Sequence, residues 1–251
     1  AALDRLHEAA RIPRCRFDLN YSNGFGMVMS HLAGIRQATK LMRLEARLLL
    51  AEGKQAEALG AIRDLYVVCD ASRDEPVLIS MLVRVATQEV ASDALRRTLQ
   101  EPPTEADALA SLAETLERGR DDNHFAAALR GELCFGVDAM DRVRREGWNG
   151  VASTLGRAQG VGWIYSVFGW VLYKDMTHFL RNMSKYSALS GQPYWQARSA
   201  ESKIEQEMQA IPEWYMLSRM MMPSLAGARR AWTKFLARRD GARLAVALAR
   251  Y

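Results

Sequence analysis

Apolar positions recur along most of this chain at intervals of three and four, the spacing of a buried helix face. From His31 to Ala51, the residues Ile35, Ala38, Met42, Ala46 and Leu49 fall on one face and Arg36, Lys40, Arg43 and Arg47 on another. After Glu52-Gly53-Lys54, a break suited to a C-cap glycine, Ala58, Ile62, Leu65, Tyr66 and Cys69 continue the stripe on a second helix. Pro76 suits a first helical turn, where its missing N–H costs nothing. The helix that follows it carries Val77, Leu78, Ile79, Met81, Leu82, Val83, Val85 and Ala86 on an arc wider than half its circumference, so it is expected to be sandwiched. Ser80, Arg84, Thr87 and Gln88 are its only polar stripe.

The remaining segments read the same way. Leu3 to Arg11 is a short helix stopped before Pro13, and Phe17, Leu19 and Tyr21 alternate as an extended stretch expected to cross the core. Helices follow over Glu105–Arg118, His124–Glu146 and Val161–Tyr186, then a polar one over Trp195–Gln209, a short Met-rich one over Glu213–Met222, and a last one over Ser224–Tyr251 with a break expected at Asp240-Gly241. Trp148 to Gly162, rich in Gly, Ser, Asn and Gln, reads as a loop and a domain boundary or lid. The fold class is therefore all-α: an irregular array of helical hairpins with about 8 to 9 helices, residues 1–147 forming an N-terminal unit and 161–251 a C-terminal segment packed on it.

Ala46, Leu49, Gly53, Ala58, Ile62 and Leu65 have the small, large, glycine, small, large, large order of a tetratricopeptide hairpin, which the second and third helices resemble. Met42 stands where that family has Trp and Glu45 where it has Leu, and no second copy follows at its repeat length. One TPR-like hairpin in an irregular array is expected rather than a regular solenoid. More widely, the run LEARLLLAEGKQAEALGAIRDLYVVC, with EPVLISMLVRVA, LRGELCFGVDAM and the closing RLAVALARY, resembles a family of uncharacterised helical proteins from planctomycete-type bacteria. The resemblance implies a cell-envelope location and brings no activity or catalytic residues with it.

Composition changes this picture little. Of 251 residues, 49% are hydrophobic and 25% charged, as in an ordinary globular protein with room for a sizeable core. The net charge of +5 is concentrated at the end, where Arg229, Arg230, Lys234, Arg238, Arg239, Arg243 and Arg250 face only Asp240. Cys15, Cys69 and Cys134 have neither zinc spacing nor a disulfide framework and are expected as buried thiols, a single bridge being the alternative. The longest apolar run, Val161 to Tyr173, is too short for the roughly 20 residues of a membrane-spanning helix.

Candidate chemistry lies in ionisable residues that fall on apolar faces: His31, Glu45, Glu89, Glu132 and Asp175, with Arg84 and Arg130 as partners. A buried carboxylate must be paired, protonated or metal-bound. Di-metal bundles require Glu-x-x-His on two helices, a spacing absent here; Asp121-x-x-His124 and Asp175-x-x-His178 are the nearest approach, and no metal or other cofactor is assigned. Gly24-Phe25-Gly26 lacks the third glycine of a phosphate loop, and no Gly-x-Ser-x-Gly nucleophile elbow is present.

A second set is superficial: Trp163, Trp170 and Tyr173 beside Lys174, Arg181 and Lys185, and the basic stripe Arg230, Lys234, Arg238. Met216, Met220, Met221 and Met222 read as adaptable packing. These patterns lead to a non-enzymatic scaffold that binds a protein partner. The alternatives are an enzyme or a small-ligand or metal-binding protein built on the interior acids, and a peripheral membrane-surface protein; nucleic acid is not the expected partner.

Overall fold

The computed structural model describes residues 1–100, 106–118, 123–147, 169–222 and 225–251. These hold ten α-helices and no strand: α1 Ala2–Ala10, α2 Ser30–Ala51, α3 Gln55–Cys69, α4 Leu78–Thr98, α5 Ala106–Glu117, α6 His124–Glu146, α7 Gly169–Leu189, α8 Tyr194–Gln209, α9 Met216–Met221 and α10 Leu225–Ala249, with a 3-10 helix at Tyr21–Gly26. The all-α class and the approximate helix number follow the sequence pattern. The loop expected over Trp148–Gly162, and Trp163 with it, lies outside the described residues.

The α2–α3 hairpin is closed where the glycine signal stands. Gly53 takes φ +75°, its N–H donates to Leu50 O at 3.0 Å and the Lys54 N–H donates to Leu49 O at 2.9 Å. The paired bonds satisfy two carbonyls at the helix end that no further turn would reach, and a side chain at that φ would be strained. α2 buries Leu32, Ile35, Thr39, Met42 and Ala46 against α3 and α4.

Two large hydrophobic clusters make most of the interior, with a small third one at Met27, Val77 and Phe135. One gathers Met81, Phe125, Leu129, Phe179, Tyr186, Trp232 and Phe235; the other gathers Met42, Ile62, Leu65, Leu95, Leu112 and Val246. α4 and α10 run through both, which is why each is long. α10 packs on α4 and α5, so the C-terminal segment covers the N-terminal helices.

Three expectations change. α10 continues without a break through Asp240-Gly241: Gly241 is open to solvent, while Ala242 and Val246 are buried and carry the helix past it. Residues 12–20 do not cross the core but run mostly exposed over the surface, with Phe17 stacked on His31 at 4.2 Å between ring centroids. The cysteines are all free, but only Cys69 is buried, and burial pushes its thiol up to about 12. Cys15 and Cys134 are exposed.

Candidate functional site

The polar stripe of α4 points inward. Ser80, Arg84, Thr87 and Gln88 are all buried, and Arg84 has 0% exposure. Its charge is met by Asp70, in the loop between α3 and α4: Arg84 Nε donates to Asp70 Oδ1 at 2.6 Å, Gln88 Nε2 donates to the same oxygen, and Arg239 Nη2 of α10 donates to Oδ2 at 3.3 Å. Phe235 lies under both guanidinium groups, 5.2 Å from that of Arg84 and 5.7 Å from that of Arg239, in a desolvated setting that favours such cation–π contacts.

The network extends through His124. Arg84 Nη1 donates to His124 Nδ1 at 3.4 Å, and His124 Nε2 donates to the backbone oxygen of Glu75 at 2.8 Å, an arrangement that requires the neutral Nε2–H tautomer. The Glu75 side chain is buried, accepts a hydrogen bond from the Ser80 hydroxyl and lies 2.8 Å from His31 Nε2. The sequence-predicted pair His31 and Arg84 thus belong to one interior network, joined by Asp70 and Glu75 rather than by the helix acids. It ties α2, the α3–α4 loop, α4, α6 and α10 together.

The four expected acids stand apart from it. Glu45 faces α1, where His7 is held between two carboxylates: Nδ1 is 2.7 Å from Asp64 Oδ2 and Nε2 is 3.0 Å from Glu45 Oε1. Burial works against the charge on His7, but the hydrogen bonds to Glu45 and Asp64 outweigh it and raise its pKa. Glu89 is not interior, because it lies at the solvent edge of α4 and pairs with Arg238 at 2.5 Å. Among the described residues Glu132 pairs with no arginine. It accepts the Leu78 N–H at 3.0 Å and so caps the first turn of α4, and burial pushes its carboxyl up with that N–H pulling the other way. Asp175 caps α9 in the same manner, accepting the N–H of Ser218 at 3.1 Å as well as its hydroxyl.

A small cleft of about 450 Å³ lined by Arg14, Cys15, Phe17, Tyr21, Asp74 and Glu75 lies beside the network. Burial, with the Glu75 carboxylate adding to it, pushes the Cys15 thiol up, so the cleft offers a protonated thiol and not a thiolate nucleophile. Among the described residues no group of three His, Cys, Asp or Glu side chains is placed to hold a metal ion. No helix among them is long and apolar enough to cross a membrane.

Of the expected surface set, Trp170 and Tyr173 are exposed, with Lys174 Nζ 4.7 Å over the Trp170 ring, and Arg181 is exposed on the same helix. Arg230, Lys234 and Arg238 are exposed along α10, Arg230 lying 3.9 Å from Glu205 of α8. Between α4 and α10 runs a groove of about 620 Å³, with Leu95, Leu99, Ala242 and Ala245 as its apolar lining and Glu89, Asp93, Arg96 and Arg238 as its charged margin. Exposed Leu244 and Leu248 stand beside it on α10. The signal for this groove in the sequence is the run of small residues, Gly241, Ala242 and Ala245, on one face of the last helix.

Comparison of the chain with protein-family models, with curated proteins and with solved structures finds no match in any of the three.

Proposed function

We propose that this chain is a non-enzymatic helical scaffold that binds a protein partner, the partner entering the α4–α10 groove as an amphipathic segment. The single observation that carries the reading is the groove itself. Its apolar floor with charges of both signs at the margin suits a helix laid in lengthwise, its apolar face on Leu95, Leu99 and Ala242 and its polar flanks against Asp93, Arg96 and Arg238. The Glu89–Arg238 pair links the two walls at the solvent edge. The interior acids already serve as helix caps and ion-pair partners, which weighs against using them for catalysis.

Selection from a random displayed-peptide library tests this. Enrichment of amphipathic sequences is expected, with binding about tenfold weaker or worse to Ala245→Trp, whose indole fills the groove; tenfold corresponds to about 1.4 kcal/mol. A melting curve for Ala245→Trp checks that the fold is kept. No enriched sequences, or binders indifferent to the substitution, would overturn the reading.

A further inference from the structure

Several helices of this chain neutralise their arginines within one turn. Arg96 and Arg97 share Asp93 on α4, Arg118 pairs with Glu114, Arg142 with Asp138, and Arg144 and Arg145 share Asp141 on α6, each acid standing three or four residues before its cation. α2 does the opposite. Arg36, Lys40, Arg43 and Arg47 follow one another at steps of four, three and four, forming one row about 16 Å long on the helix surface. No acid stands three or four residues from any of them, and each has another cation at that spacing, where like charges repel.

The tertiary structure does not make up the deficit. Among the described residues none of the four side chains forms an ion pair or a hydrogen bond. The two acids at the end of α2 are engaged elsewhere, Glu45 with His7 and Glu52 with Lys54. Arg36, Lys40 and Arg47 are exposed, but Arg43 is half-buried and its Nε is enclosed without an acceptor. A cation drawn partly out of water with no counter-charge is costly, and an anion arriving at its open side reduces that cost.

The row runs into a concavity. At its C-terminal end a cleft of about 370 Å³ lies between α2 and α4, with Ala46, Leu50, Ala51 and Ala94 as apolar lining and Arg47 and Arg97 as its cationic edge. A bilayer cannot enter a cleft between two helices, and no aromatic side chain lines it to stack a nucleic-acid base. A polypeptide segment with carboxylates along one side and an apolar side chain at one end meets both features. In a helix those carboxylates recur at the same three- and four-residue steps as the cations.

We propose that this row is a docking strip for an acidic segment of a partner protein, whose carboxylates meet Arg36, Lys40, Arg43 and Arg47 and whose apolar side chain enters the cleft between α2 and α4. The strip is separate from the α4–α10 groove and stands or falls independently of it.

The test is fluorescence anisotropy with the full chain and a labelled alanine-rich helical peptide carrying four glutamates at steps of four, three and four and a leucine one turn beyond them. Saturable binding is expected, weakening about tenfold when salt is raised from about 0.05 to about 0.5 M, because screening shortens the reach of the charges. A peptide of the same composition with its glutamates spread around the helix should bind about tenfold more weakly. Lys40→Glu should also weaken binding about tenfold, yet keep or raise the melting temperature, since a glutamate between Arg36 and Arg43 turns two repulsions into attractions. Ala245→Trp, which fills the other groove, should leave this binding unchanged. No binding, equal binding of the two peptides, or binding indifferent to Lys40→Glu overturns the proposal. Tighter binding to phosphatidylserine vesicles or to a single-stranded oligonucleotide than to the peptide, lost in Lys40→Glu, overturns the acidic segment as occupant.

Discussion

Asp70 Oδ1 receives the Nε–H of Arg84 at 2.6 Å, and Asp70 Oδ2 receives Arg239 of α10, so one loop carboxylate joins two buried arginines from helices far apart in sequence. Breaking a buried pair by removing one side costs about 3 to 5 kcal/mol, because the remaining charge loses its compensation without regaining water. Asp70→Ala is therefore expected to lower the unfolding free energy by about 3 kcal/mol in denaturant titration. Asp93→Ala, which breaks exposed pairs with Arg96 and Arg97, should move it by less than about 1 kcal/mol. Equal effects would show that Asp70 is not holding the arginines.

His7 gives α1 a pH-dependent hold. Its pKa is raised in the folded chain by Glu45 and Asp64, so the protonated ring binds more strongly than the neutral one. The contribution is fully present below the unfolded value of about 6.5 and is lost as pH rises through the higher folded value. Hydrogen exchange of the Ala2–Ala10 amides should accelerate, beyond the intrinsic trend, as the pH is taken upward through that window, and His7→Gln should abolish the step. A step that survives His7→Gln would assign it to another group.

How much of this could be read from the sequence depended on where a residue stood. The helices and the hairpin glycine follow from periodicity and one positive-φ position, whereas α4 is buried along its polar stripe and at Val77, Met81 and Val85 and leaves Ile79 and Ala86 of its broad apolar arc exposed. The same breadth misplaced Glu89, because an arc wider than half the helix does not say which of its edges meets water. Asp70 and Glu75 could not be placed by helical projection at all, since both lie in the loop between α3 and α4. On α2, leucines occupy two faces, and the spacing of Ile35, Met42 and Ala46 picks the one that α3 and α4 bury, leaving Leu44 and Leu48 outside. His7 was missed because its two acids come from α2 and α3, distant in the chain.

Glu132 separates the value of a cap from the cost of a buried charge. Its carboxyl is pushed up by burial, so folding favours the protonated form and stability falls as pH rises above the ordinary carboxylate range. Glu132→Gln keeps an acceptor for the Leu78 N–H without the charge, and at about pH 7 it should match or exceed the wild type in melting temperature. Glu132→Ala leaves that N–H without its partner and should cost about 1 kcal/mol, as for the loss of a helix cap. A Gln variant as unstable as the Ala variant would show that the charge itself is needed.

At Gly131, α6 lies directly against the backbone of the loop before α4. A Cβ built there would lie 1.6 Å from the backbone oxygen of Pro76 and 2.8 Å from its carbonyl carbon, distances no side-chain rotation can relieve because both atoms belong to the main chain. The neighbouring residue, Glu132, caps α4 from the same turn of α6, and the backbone oxygen of Glu75 accepts from His124 about two helix turns earlier. Gly131→Ala must therefore separate α6 from the loop and lengthen both bonds. Overpacking of this kind costs about 1 to 3 kcal/mol, whereas Gly60→Ala, inside α3 with nothing within 4 Å of the added carbon, should be neutral or gain up to about 1 kcal/mol from helix propensity. Chemical denaturation of the two variants measures the difference, and a Gly131→Ala protein as stable as the wild type would show that the loop yields freely.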